Sequence, residues 1–162
     1  MNPCPCGYLG AFAATGRACR CGADTVARYQ GRLSGPLLDR IDLQIEVPAV
    51  RPAELMAAPD GESTAAVAAR VAAARMRQLE RQGEANGLLT AARTDTCCGA
   101  DAAARRFLQG AAEKLGWSGR RLHRTLRVAR TIADLAGEPQ IGVAAMAEAL
   151  QLQRGLDALR GG

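Results

Sequence analysis

The sequence predicts a mainly α protein, a helical bundle preceded by a short segment of loop and strand. Three observations carry that prediction. Apolar residues make up 48% of the chain but aromatics only 3%, and alanine, the strongest helix former, supplies much of the difference. Beyond Pro59 the apolar residues recur at helical spacing between candidate caps. Residues 1–22 are rich in Gly, Pro and Cys, and the stretch from there to Pro48 holds a single alternating run. The predicted organisation is therefore a loop-and-strand part over 1–48, a linker over 49–60 and a helical domain over 61–162.

Residues 1–22 read as a loop. Ala23 to about Leu33 reads as a short helix with Asp24 as candidate N-cap, broken by Ser34-Gly35-Pro36. Leu37-Leu38-Asp39-Arg40-Ile41 reads as a helical turn or loop. Leu43, Ile45 and Val47 alternate with Asp42, Gln44 and Glu46, so 42–47 reads as a half-buried strand whose partners lie outside the chain. Ser63 is the candidate cap of a long helix to about Gln82, with Val67, Val71 and Leu79 on its apolar face. Gly83 to Gly99 reads as irregular. Further helices are predicted from about Asp101 to Leu115, from the candidate cap Ser118 through Leu135 and from about Val143 to Gln153, with Gly137 and Pro139 as a stop signal after the Ser118 helix.

Of 21 basic residues, only Lys114 is lysine. A GC-rich coding bias explains that before any guanidinium-specific role does. The net charge of +5 permits an anionic partner without demanding one. No apolar run reaches membrane-spanning length, and the N-terminal residues lack a basic region followed by an apolar stretch. The expected location is cytoplasmic, where cysteines serve as metal ligands or free thiols more often than as disulfides.

Four of the six cysteines form two Cys-x-Cys pairs, Cys4/Cys6 and Cys19/Cys21, each ending in Cys-Gly. Four thiolates can close a tetrahedral zinc site. The spacing is tighter than the commoner Cys-x2-Cys, and reduced thiols in a loop are the competing reading. Cys97-Cys98 read as solvent-loop or small-core residues, and His123 as a packing or surface residue.

Three blocks carry a family. Met1-Asn2-Pro3-Cys4-Pro5-Cys6-Gly7, Arg32-Leu33-Ser34-Gly35-Pro36-Leu37-Leu38-Asp39-Arg40-Ile41-Asp42, and Ser118-Gly119-Arg120-Arg121 leading into Val128-Ala129-Arg130-Thr131-Ile132-Ala133-Asp134-Leu135-Ala136-Gly137 resemble the Mg-chelatase-like AAA+ ATPases of the ComM/YifB type. The resemblance spans nearly the whole chain but only the C-terminal third of the family. It implies the end of an α/β ATPase core, with Cys-rich loop, short helix and one strand, followed by a chelatase-type helical lid. By position Asn2 resembles sensor 1, Arg40 the arginine finger acting on a neighbouring subunit's ATP, and Arg120 sensor 2, with Arg121 the adjacent alternative. The cysteine pairs match a cysteine-rich insertion of the family.

Each role has a competitor in the residues themselves. Arg40 could pair with Asp39 or Asp42, and Arg124, Arg127 and Arg130 read as a solvated basic face. The sequence around Lys114 is not a Walker A motif, and no Walker B strand precedes Asn2. The expectation is a chain inactive alone, with Met1 either an internal methionine taken as a start or an artificial boundary, and the P-loop upstream of it. The resemblance implies ATP and Mg²⁺ as cofactors of the intact protein, homo-hexameric neighbours as partners, and DNA branch migration in natural transformation as function. Two other readings stay open. One is a stand-alone zinc-containing nucleic-acid-binding module, which the scattered aromatics disfavour. The other is magnesium insertion into a porphyrin, which rests on the family name alone.

Overall fold

The computed structural model describes residues 2–34, 37, 40–45, 47–57 and 61–153. The mainly α expectation holds: the described residues are mostly helical and contain no β-strand. The chain divides into two compact units, one drawn mainly from Met1–Ile41 and Ile45–Gly61, the other joining Asp42–Gln44 to Glu62–Leu156.

The described residues of the first unit include three short helices, α1 (Phe12–Thr15), α2 (Ala23–Gln30) and α3 (Pro52–Met56). Gly22, and not Asp24, takes the N-cap position of α2. Asp24 lies instead in the first turn, where a carboxylate suits the positive end of the helix dipole. The helix ends at Gln30, three residues before its expected stop. α3 falls in the expected linker, started by Pro52, whose missing N–H costs nothing at a first turn, and by Glu54, whose carboxylate accepts from the Arg51 amide at 3.0 Å and from its guanidinium at 2.8 Å.

The described residues of the second unit form a bundle of five helices, α4 (Thr64–Gln82), α5 (Ala91–Cys97), α6 (Ala102–Leu115), α7 (Gly119–Ala136) and α8 (Val143–Leu152), with a 3₁₀ turn at Asn86–Leu88. The candidate caps Ser63 and Ser118 both accept backbone amides, from Ala66 at 3.2 Å and Arg121 at 3.4 Å, and Asp101 caps α6 through Ala104 at 2.7 Å. Residues 83–99 are not irregular, as α5 and the 3₁₀ turn occupy much of the segment. Thr90 caps α5, and Thr94, fully buried, fixes it to the bundle.

α7 is the hub. It packs on α4, α5, the 3₁₀ turn and α8. The core comprises Leu89, Cys98, Ala104, Leu108, Ala129, Ala133, Ile141, Met146, Ala149 and Leu150. Alanines at the helix contacts let the backbones approach closely, while Ile141 and Met146 supply the bulk. Burying each of those two large side chains stabilises the fold by about 1.5–3 kcal/mol. Ile141 also joins the α5–α6 and α7–α8 connections: it donates to the Gly99 carbonyl at 3.0 Å and accepts from the Asp101 amide at 3.1 Å.

Two sequence expectations about this bundle fail. The Val67–Val71–Leu79 face of α4 is exposed, because α4 meets α7 through Ala74, Gln78, Arg77 and Arg81. The basic face of α7 is not solvated either. Arg124 and Arg130 are buried, and Arg130 and Asp134 are each only 1% exposed. Arg130 donates to Asp134 at 3.1 Å and to the carbonyls of Pro139 and Glu138 beyond the helix end. Arg81 reaches both Asp134 oxygens, at 2.7 and 3.0 Å, and Asn86 donates to Asp134 at 2.9 Å and to Thr131 at 3.0 Å. Burial alone would raise the Asp134 pKa, but Arg81, Asn86 and Arg130 outweigh it and hold the carboxyl below its ordinary value.

The predicted strand is absent from the described residues, with Glu46 outside them. Asp42 pairs with Arg124 at 2.6 Å and the Gln44 amide donates to the Leu152 carbonyl at 2.6 Å, while Leu43, Ile45 and Val47 are exposed. An alternating run becomes a strand only when a neighbour pairs with its backbone, and the described chain supplies none.

Asp134→Asn would leave two arginines facing no charge, one of them fully buried. The expected loss is about 3–5 kcal/mol of bundle stability, read by urea denaturation. The pH dependence follows from the lowered pKa. The Asp134 contribution is complete above the unfolded value of about 4 and is lost as pH falls through the folded value. The wild-type chain should therefore lose more stability than the variant below about pH 4.

Candidate functional site

Of the candidate site residues, the four cysteines are the ones that the structure gathers into a chemical centre. Cys4-Pro5-Cys6-Gly7 forms a tight turn closed by the Gly7 amide on the Cys4 carbonyl at 3.0 Å. Gly7 has φ +79, a conformation that costs a side chain with a Cβ but not glycine. The second pair, Cys19-Arg20-Cys21, returns after α1, and α2 starts two residues later at Ala23.

All four Sγ atoms lie within 4.8 Å of one another. Cys4 and Cys6 are 3.4 Å apart, Cys4 and Cys19 3.7 Å, and Cys6 and Cys19 3.6 Å. Disulfide sulfurs would be about 2.05 Å apart. Four thiolates at about 2.3 Å from one tetrahedral ion stand about 3.8 Å from each other. The described cluster has the spacing of a metal centre, and its donors fit a soft ion. The group could hold a metal.

Backbone amides support the sulfurs. Those of Tyr8 and Arg20, aided by the Cys4 side chain, favour the Cys6 thiolate and lower its pKa to about 6. The Cys21 amide likewise favours the Cys19 thiolate, at an N···S distance of 3.4 Å, but burial and the neighbouring Cys6 and Cys4 side chains push that thiol up to about 12. The Cys6 amide favours the Cys21 thiolate, yet the Cys6 side chain and burial raise its pKa. A cluster of four adjacent sulfurs resists carrying four negative charges unless a cation sits among them. The surrounding N–H groups are the kind of outer contacts that orient metal ligands.

Asn2 is exposed, two residues before Cys4, and its side-chain nitrogen lies 3.6 Å from where a Cβ on Gly7 would stand. Arg40 is exposed in a turn closed by its amide on the Leu37 carbonyl at 2.9 Å. Leu38 and Asp39 lie outside the described residues. Arg120 is exposed in the first turn of α7 in the second unit. Its neighbour Arg121 stacks over Trp117 at 4.4 Å and donates to the Gln153 carbonyl at 3.1 Å. His123 lies 3.3 Å from Asp95 at a cleft of about 770 Å³ in the bundle, as a packing or surface residue would. Cys98 is buried in the core, and burial pushes its pKa up to about 11.

The family model for the C-terminal part of magnesium chelatase subunit ChlI matches residues 61–153, and the model for subunit ChlI itself matches residues 1–55. The chain belongs to the magnesium chelatase-like family. It is 43% identical to the competence protein ComM of Haemophilus influenzae, across 93% of this chain and 29% of that protein. It is 41% identical to the uncharacterized protein YifB of Escherichia coli, across 83% of this chain and 26% of that protein. An uncharacterized protein of Mycobacterium tuberculosis is 38% identical across 94% of this chain and 30% of its own length. The chain thus spans less than a third of these relatives and corresponds to the C-terminal part of a ComM/YifB-type protein. No described helix is long and apolar enough to cross a membrane.

The buried Arg81–Asp134–Arg130 network escaped sequence reasoning. Its one legible sign is that Arg130 and Asp134 are four residues apart on α7, the spacing of a helical ion pair.

Metal binding should expel the protons held on Cys19 and Cys21. Titrating zinc into the reduced chain at pH 7 in weak buffer is expected to acidify the solution by at least about two protons per ion. Affinity should fall as pH drops, and both effects should vanish in a Cys4→Ser/Cys19→Ser variant.

Proposed function

We propose that this chain is the C-terminal working part of a ComM-type AAA+ ATPase, with a zinc ion held by Cys4, Cys6, Cys19 and Cys21. The observation that carries the reading is its 43% identity to ComM across 93% of the chain. The division into an ATPase-core end over 1–48, a linker over 49–60 and a lid over 61–162 follows from it. The whole protein would be a cytoplasmic homo-hexamer that hydrolyses ATP with Mg²⁺ to drive DNA branch migration during natural transformation. Phosphate-binding Walker motifs would come from the part of the relatives that this chain does not span, so the chain alone would not turn over ATP.

The chemistry asked of each residue is electrostatic. Phosphoryl transfer spreads charge over the γ-phosphate oxygens, and the protein accelerates it mostly by positioning and charge stabilisation. Asn2, as sensor 1, would orient the attacking water. Arg40, as arginine finger, would set its guanidinium against the γ-phosphate held by the adjacent subunit, where a planar, permanently charged donor suits the developing charge. Arg120, as sensor 2, sits in the first turn of α7, where the helix dipole and the guanidinium attract an anion together. Its exposure keeps it available for such a ligand. Zinc would supply structure only, because four protein thiolates leave it no open position for a reactant.

In the longer chain that carries the P-loop, Arg40→Ala should lower ATP turnover by about 10³-fold or more while nucleotide affinity changes little. Steady-state hydrolysis and fluorescent-nucleotide titration separate the two. Unchanged turnover would remove the arginine-finger role.

A further inference from the structure

Among the described residues of the first unit, the four cysteines are the group that is gathered together. Among its described residues Cys4 is the only buried side chain. Helices α1, α2 and α3 bury no residue. The side chains that a hydrophobic core would use stand in solvent: Phe12 is 63% exposed, Leu55 71% and Met56 88%. Fixing each backbone residue costs about 1–2 kcal/mol, and segments of under about 40 residues seldom recover that cost without a disulfide, a metal or a partner. The second unit, in contrast, has a contiguous core of its own.

What order the segment has converges on the cluster. Gln30, the last residue of α2, donates from its side chain to the Pro3 carbonyl at 3.0 Å, next to Cys4. Arg17 donates to the Tyr8 hydroxyl at 2.7 Å and closes the loop between the two cysteine pairs. Asn2 lies against Gly7, the turn residue that completes the first pair.

We propose that the ion bound by Cys4, Cys6, Cys19 and Cys21 is the core of this segment: residues 2–30 fold on binding it, and Asn2 is placed by it, while the helical bundle folds without it. This inference rests on the zinc reading above and adds a role to it. The metal is a folding ligand of one unit only. Losing it releases Asn2 and unties the start of α2 without melting the bundle.

The test is hydrogen exchange read by mass spectrometry on the whole 162-residue chain, zinc-loaded under anaerobic conditions and then stripped with a chelator. Zinc content is measured on the same samples. One equivalent is expected in the loaded chain. On stripping, peptides within 2–30 should exchange at least about tenfold faster, peptides from α4 to α8 should not change, and adding zinc or cobalt(II) back should restore protection. Cys4→Ser should show the fast exchange with zinc present, and Cys97→Ser should behave as wild type. A loaded chain that retains no zinc overturns the zinc reading and this inference with it. A chain that holds zinc but protects 2–30 equally after stripping overturns the inference alone. Loss of protection in the bundle on stripping overturns its independence.

Discussion

A single buried carboxylate holds the bundle together. Asp134 lies on the hub helix, accepts from Arg81 on α4, Arg130 on its own helix and Asn86 in the 3₁₀ turn, and is 1% exposed. Its backbone carbonyl also accepts from Arg77 at 2.8 Å. Hydrophobic packing is non-directional and would leave α4 free to slide or rotate on α7. Hydrogen bonds to one fixed carboxylate specify the register. The net energy of such a cluster is modest, because taking the charges out of water costs much of what their attraction returns. What the cluster contributes is geometry, and α7 in turn carries Arg120 in its first turn.

Among the described residues of the first unit the one buried side chain is Cys4, and what they gather is four sulfurs and the amides that point at them. A chain with few aromatic residues has little bulk to spend on two cores, and it concentrates that bulk, such as Ile141 and Met146, in the bundle.

Much of the bundle was legible in the sequence. Ser63 and Ser118 are short polar residues just ahead of apolar periodic runs, and each caps the helix expected of it. The cysteine cluster was legible for a similar reason, since pairs one residue apart place two sulfurs on one turn. The failures share a cause too. The seven-residue α5 is too short and too rich in threonine to announce itself locally, and it exists because Thr94 and Cys98 are buried. Alternation at Leu43, Ile45 and Val47 states a preference, but a strand needs a neighbour. Arg124 and Arg130 looked solvated because a helical wheel assigns charge to water by default. Asp42, the partner of Arg124, lies far off in sequence, and Arg130 and its neighbour Asp134 are buried together by Arg81 and Asn86, which reach them from elements no local window contains.

The alanine-lined core has a consequence for how this chain can vary. Ala104, Ala129 and Ala149 are fully buried, and Ala133 nearly so. Every single-base change to an alanine codon that alters the residue gives Gly, Ser, Thr, Pro, Val, Asp or Glu, and all but glycine are larger. Cores of leucine erode by leaving cavities. This one meets mutation by being forced apart, at about 1–3 kcal/mol for each added group that cannot be accommodated. A coding bias that keeps alanine abundant therefore also keeps these helices close.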